Sequence, residues 1–245
     1  MIRKALIGAA LLLLAGCEKA PQDVTARYAL AGGAGTITVK AAANGDARVD
    51  SQGQTLIRKG GTEYLLIADS QGQYAARIAD FVSVMGALAR EGGMKPTGLG
   101  PQPDYALVKE GTETIAGQTG DVWKVRAPKA PPAETIEAVI SGDPALANAG
   151  SALAMQTRLG AAGMAQVQGG QGNLEKKIAE MLDKGMVLRF ATALTLSSVE
   201  KAPISTDIFA LPPTVLAVPA LKARLVAERA RTQAAAAASG APPSR

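Results

Sequence analysis

The stretch TARYALAGGAGTITVKAAANGDARVDSQGQTLIRKGGTEYLLIADSQGQYAARI, Thr25 to Ile78, decides the fold. Within TITVK, Ile37 and Val39 point to one side while Thr36, Thr38 and Lys40 point to the other, which makes a strand with one apolar and one wet face. TARYALA (25–31), GTITVKA (35–41), DARVD (46–50), QTLIRK (54–59), TEYLLIAD (62–69) and GQYAARI (72–78) repeat that habit between GGA, SQGQ and GG. Short alternating runs about ten residues apart, punctuated by Gly, Asn and Ser, predict an antiparallel meander.

Downstream the period changes. IADFVSVMGALAREGG sets Phe81, Val84, Met85 and Leu88 at helical spacing and stops at Gly92-Gly93. A loop rich in Gly and Pro, MKPTGLGPQP, leads to the strands DYALVKE, TETIAGQ and GDVWKVRA, the last two joined by a turn at Gln118-Thr119-Gly120. ETIEAVIS (134–141) reads as a further strand, although its Glu and Ala also suit a helix. Asp143-Pro144 supplies an N-cap and a first-turn proline for a helix to about Leu159. NLEKKIAEMLDKG carries Leu174, Ile178, Met181 and Leu182 on one face, and MVLRFATAL with TLSSVEKA predicts a last hairpin before DIFALPP. Neither helical region has the strand–helix–strand rhythm of a parallel sheet, so the fold class is α+β.

Upstream lies the single cysteine, in LLLLAGCEKA (11–20). Arg3 and Lys4 precede an apolar run, Ala5 to Ala15, about half the ~20 residues of a membrane-spanning helix. A charged start, a short apolar middle and small residues before a boundary describe a secretory leader. Leu14-Ala15-Gly16-Cys17 resembles the lipobox of bacterial lipoproteins, which implies cleavage after residue 16, acylation of Cys17 and attachment to a membrane. Glu18, rather than an Asp, follows the cysteine; the resemblance therefore implies sorting to the outer membrane, with the body in the periplasm.

The expected organisation is a leader (1–16), a lipidated tether (17–24), one domain (25–213) and a basic tail rich in Ala and Pro (214–245). Formal net charge is +5, yet two of the cations are in the leader. The stretch from Pro219 adds Lys222, Arg224, Arg229, Arg231 and Arg245 against Glu228 alone, leaving the body close to neutral. That distribution argues against a nucleic-acid partner, which needs cations gathered on the folded surface. With aromatics at 3%, the core must be built mainly of Ala, Val, Leu and Ile.

Absences narrow the chemistry further. The chain has no histidine, which excludes Ser-His and Cys-His nucleophile systems and histidine zinc sites. AGGAGTI lacks the Lys-Ser/Thr of a phosphate loop. Asp69, Asp80, Asp104, Glu113 and Asp121 mostly stand beside turn residues, where carboxylates cap backbone groups, and Glu63 lies within a strand. No catalytic residue, metal site or cofactor is expected, and the sequence leaves the oligomeric state open. Trp123, with Val125 two residues on, faces the apolar side as a core anchor or as a pocket wall.

Three pieces together resemble the LolA/LolB-like superfamily, closest to its uncharacterised envelope lipoproteins: the strand pair and turn of Tyr64–Tyr74, the hairpin of Thr112–Val125, and the closing Phe209-Ala-Leu-Pro212. The likeness covers about residues 25–213. It implies a curved antiparallel sheet, an unclosed barrel, with helices covering the concave face over an apolar groove. Ile37, Val39, Phe81, Met85, Trp123 and Val125 are the candidate groove-lining residues. The helical stretch Asp143–Gly185 and the basic tail depart from the family pattern. The resulting expectation is a non-catalytic lipoprotein that binds a lipid, acyl chain or hydrophobic protein segment; the alternative is an accessory envelope protein with a filled core, working through its surface or tail.

Overall fold

The computed structural model describes residues 20–128, 131 and 135–238. The expected leader and the Cys17 anchor lie outside the described residues. Period-two alternation becomes β1 (Val24–Leu30), β2 (Thr36–Ala41), β3 (Ala47–Ser51), β4 (Gln54–Lys59), β5 (Thr62–Asp69) and β6 (Gly72–Arg77), each antiparallel to the next. Tight hairpins fix the register. Gln52-Gly53 joins β3 to β4 with φ of 42° and 80°, the paired left-handed conformation that matches strand twist in a two-residue turn.

α1 (Ile78–Glu91) follows, then β7 (Ala106–Ile115), β8 (Gln118–Arg126) and β9 (Ile136–Ser141). After α2 (Ala147–Gln168) and α3 (Asn173–Leu182) come β10 (Met186–Phe190), β11 (Leu194–Glu200), β12 (Val215–Leu216) and α4 (Val218–Ala238). One sheet holds the twelve strands in the order β12-β6-β5-β4-β3-β2-β1-β11-β10-β9-β8-β7. Its two ends, β12 and β7, do not pair with each other, so the curved sheet stays open. The architecture is α+β, an unclosed sheet with a helical layer.

Register brings the core together. Ala26, Val39, Val49, Leu56, Leu65 and Ala76 stand opposite one another across β1 to β6 as one continuous apolar row. α2 covers this face with Ala149, Ala152, Leu153 and Met155, and α3 covers the β7–β9 end. On the other face, Phe209 packs with Ile57 and Ala42 beside Ile204, Ile208 and Leu211, so the closing segment seals the outside of β4 and β5. Asp23 links that segment to the tether by accepting from Ala43 N–H (2.7 Å) and Ile204 N–H (2.9 Å).

The structure departs from the sequence reading in four places. DYALVKE and TETIAGQ form one strand, β7, with a bulge between Lys109 and Thr112, where Gly111 has φ 79°. The turn to β8 is Ala116-Gly117 (φ 48° and 75°) rather than Gln118–Gly120, because a two-residue hairpin needs adjacent left-handed residues. α2 begins with a 3-10 turn capped by Asp143 and runs nine residues beyond Leu159, through Ala-rich sequence, to the left-handed Gly169. The fourth departure concerns residues after 213, where β12 pairs with β6 and α4 packs on α1 through the fully buried Leu221, so the folded body continues past the expected boundary.

Candidate functional site

α2 is the element that creates the site. Its first half presses on the sheet, with Gly150 allowing β10 so close that an added Cβ would meet Met186 Cα at 2.7 Å. Its second half, beyond Met155, contributes no fully buried residue and stands between α1 and α3. Helices that diverge over a curved sheet leave troughs between them, and α2 has one on either side.

Between α2 and α3 lies an apolar groove of about 420 Å³. Ala154, Ala161 and Ala165 face Ile178, Ala179 and Leu182 across it. A smaller cleft of about 100 Å³ carries it inward past Leu153 toward Phe190 and Leu194. Between α1 and α2, a second groove of about 410 Å³ is lined by Phe81, Val82, Met85, Met94, Leu159 and Val167. The loop after α1 crosses the far end of both: Thr97 N–H donates to Val167 O (3.1 Å) and Asn173 Nδ2 donates to Pro103 O (3.2 Å).

The residues expected to share one groove are divided by the structure. Phe81 and Met85 line the α1–α2 groove, with Met85 45% exposed. Ile37 and Val39 are buried beneath α2 in the main core, which fills the space between sheet and helices. Val125 is buried and Trp123 half-buried in a separate cluster under α3, with Met181 and Leu174, where Lys184 Nζ sits 5.5 Å from the Trp123 ring centroid. Ile37, Val39 and Val125 are core residues, and Trp123 packs against the core, because α2 and α3 lie directly on the apolar sheet face rather than arching over it. Strand alternation gives the facing of a side chain but carries no information about the height of the helix above it.

The sequence reading did not single out the alanines of α2. Ile178 and Leu182 were visible as one face of α3; the partner face is formed by methyl groups that helical periodicity hardly marks. Several of the carboxylates screened for chemistry have cationic partners instead. Glu63 meets Arg158 (2.5 Å), Asp121 meets Lys109 (2.8 Å), and Glu113 and Glu137 share Arg189 (2.6 and 2.9 Å). Asp69 is held by Arg224, which also stacks 4.2 Å from the Tyr74 ring centroid. Among the described residues no group of three or more metal-ligating side chains occurs, and no helix is long and apolar enough to cross a membrane.

Fold and grooves together define the class, an open α+β half-barrel whose helical layer carries two solvent-facing apolar troughs. In comparisons with protein-family models and with curated proteins, nothing matches the chain.

Proposed function

We propose that this chain is a non-catalytic lipoprotein of the LolA/LolB-like kind, anchored through Cys17 to the outer membrane with its body in the periplasm. In this reading it holds an acyl chain or a hydrophobic protein segment in the α2–α3 groove. The observation that carries the reading is the apolar trough of about 420 Å³, within the ~300–1,000 Å³ common for ligand sites and continuous with an inward cleft. A second reading, an accessory protein acting through its surface, is favoured by the filled interior under α2.

Native mass spectrometry with lipid extraction separates the two. A co-purifying apolar species supports groove binding, whereas an empty protein favours surface action. In the same preparation Ala161→Trp fills the trough from α2, and the affinity for the neutral probe N-phenyl-1-naphthylamine is expected to fall about tenfold or more. Unchanged affinity in that variant removes the α2–α3 groove as the site. Acylation is read independently, by loss of fatty-acid labelling in Cys17→Ser.

A further inference from the structure

The charges that line the α2–α3 groove do not balance. Three charged side chains line it: Arg158, Glu175 and Asp183. Arg158 is already engaged by Glu63 at 2.5 Å and also donates to the Ser151 carbonyl (3.2 Å). Neither Glu175 nor Asp183 has an ion-pair partner among the described residues. Of the lysines on and just after α3, none lines the groove: Lys184 lies over Trp123, Lys177 pairs with Glu180 (2.7 Å), and Lys176, next to Glu175, is outside the lining; Lys201 faces Asp143 (3.8 Å).

Position sharpens the imbalance. Glu175 stands in the first turn of α3, where the helix dipole favours an anion. Asp183 is the C-cap of the same helix, where the dipole disfavours one, so helix stability does not explain it. The trough thus runs along α3 with a carboxylate at either end and alkyl groups between. Its α2 wall, from Ala154 to Ala165, extends about 17 Å, and between the larger Arg158 and Met164 the side chains of Ala161 and Ala162 let another helix backbone come close.

We propose that the α2–α3 groove docks a basic amphipathic helix of a partner protein, with apolar side chains at i, i+3, i+4 and i+7 in the trough and Lys or Arg near Glu175 and Asp183. This rests on the groove-binding reading and specifies its ligand. Complementary charge selects this occupant over an anionic lipid, which the two carboxylates repel.

The test uses the chain from Glu18 onward, which retains every described residue. Fluorescence anisotropy compares a labelled 14-residue Leu/Lys amphipathic peptide with its Leu/Glu counterpart of identical leucine spacing. The Leu/Lys peptide is expected to bind at least about tenfold tighter, with Ala161→Trp abolishing its binding. Glu175→Gln with Asp183→Asn is expected to bring the preference below about threefold while leaving the melting temperature in place.

Equal binding, preference for Leu/Glu, or binding of neither peptide overturns the proposal. So does Leu/Lys binding that survives these variants, since it then occurs elsewhere. N-phenyl-1-naphthylamine binding in the parent protein tells whether the groove reading fails as well. A concentration-dependent dimer abolished by the charge variants would assign the groove to a second copy of the chain and overturn the partner assignment.

Discussion

Tyr28 ties β1 to β10 through one phenol. It is fully buried, and its hydroxyl donates to Val187 O at 2.9 Å, beside the register shift between β9 and β10. Burial raises the phenol pKa far above its ordinary value, so it remains a donor at any working pH. Tyr28→Phe removes this buried hydrogen bond; urea unfolding should show a loss of ~0.5–1.5 kcal/mol with an unchanged m-value. Asp69 works through charge. Its hydrogen bonds from Arg224 (both 2.7 Å) and from Gln71 N–H (2.8 Å) lower its pKa to about 2. A depressed carboxylate stabilises the fold above its unfolded pKa of ~3.9 and loses that contribution as pH falls through the folded value. Hydrogen exchange in α4 should therefore stay constant from neutral pH to about 4, after correction for intrinsic rates, and rise as pH approaches 2.

At the scale of elements, two glycines in α2 separate packing from propensity. Gly150 touches β10, and a Cβ there would lie 2.7 Å from Met186 Cα and 2.8 Å from the Gly185 carbonyl. Relief requires moving the helix off the strand, which costs ~1–3 kcal/mol and outweighs alanine's helical advantage of ~1 kcal/mol. Gly160 faces open space, so there the advantage stands alone. Gly150→Ala should lower the melting temperature and Gly160→Ala should raise it; the same sign for both would show that α2 is not pressed against β10. The distinction is invisible in ANAGSALAMQTRLGAAGMAQVQ, where the glycines differ only in what lies across from them.

For the whole molecule, the segment after residue 213 is structural. Leu221 is fully buried against Tyr74, Ala76 and Val84, with Leu216 and Leu225 beside it. Lys222 pairs with Glu91 (2.5 Å), Ser70 Oγ donates to Glu228 (2.8 Å), and Arg224 clamps Asp69. Ending the chain at Pro213 should uncover that apolar patch, lower the urea midpoint and increase binding of a hydrophobic dye. A truncated protein with parental stability and dye binding would show that α4 adds nothing to the body. The tail's cations set it apart from the body in the sequence because Arg and Lys usually stay in water; here Arg224 reaches the nearly buried carboxylate of Asp69 and an aromatic face.

Alternation in Thr25–Ile78, the apolar face of α3 and the punctuation by glycine were enough to establish an antiparallel α+β fold, because side-chain facing follows from backbone period alone. Closeness of approach between elements was not written in any local pattern. Whether Ile37 and Val39 line a groove or a core depends on the separation of α2 from the sheet, and that separation is governed by Gly150 meeting β10, residues far apart in the chain. The grooves arose where α2 leaves the sheet, from alanines whose small side chains have no periodic signature but leave space once helices are set side by side.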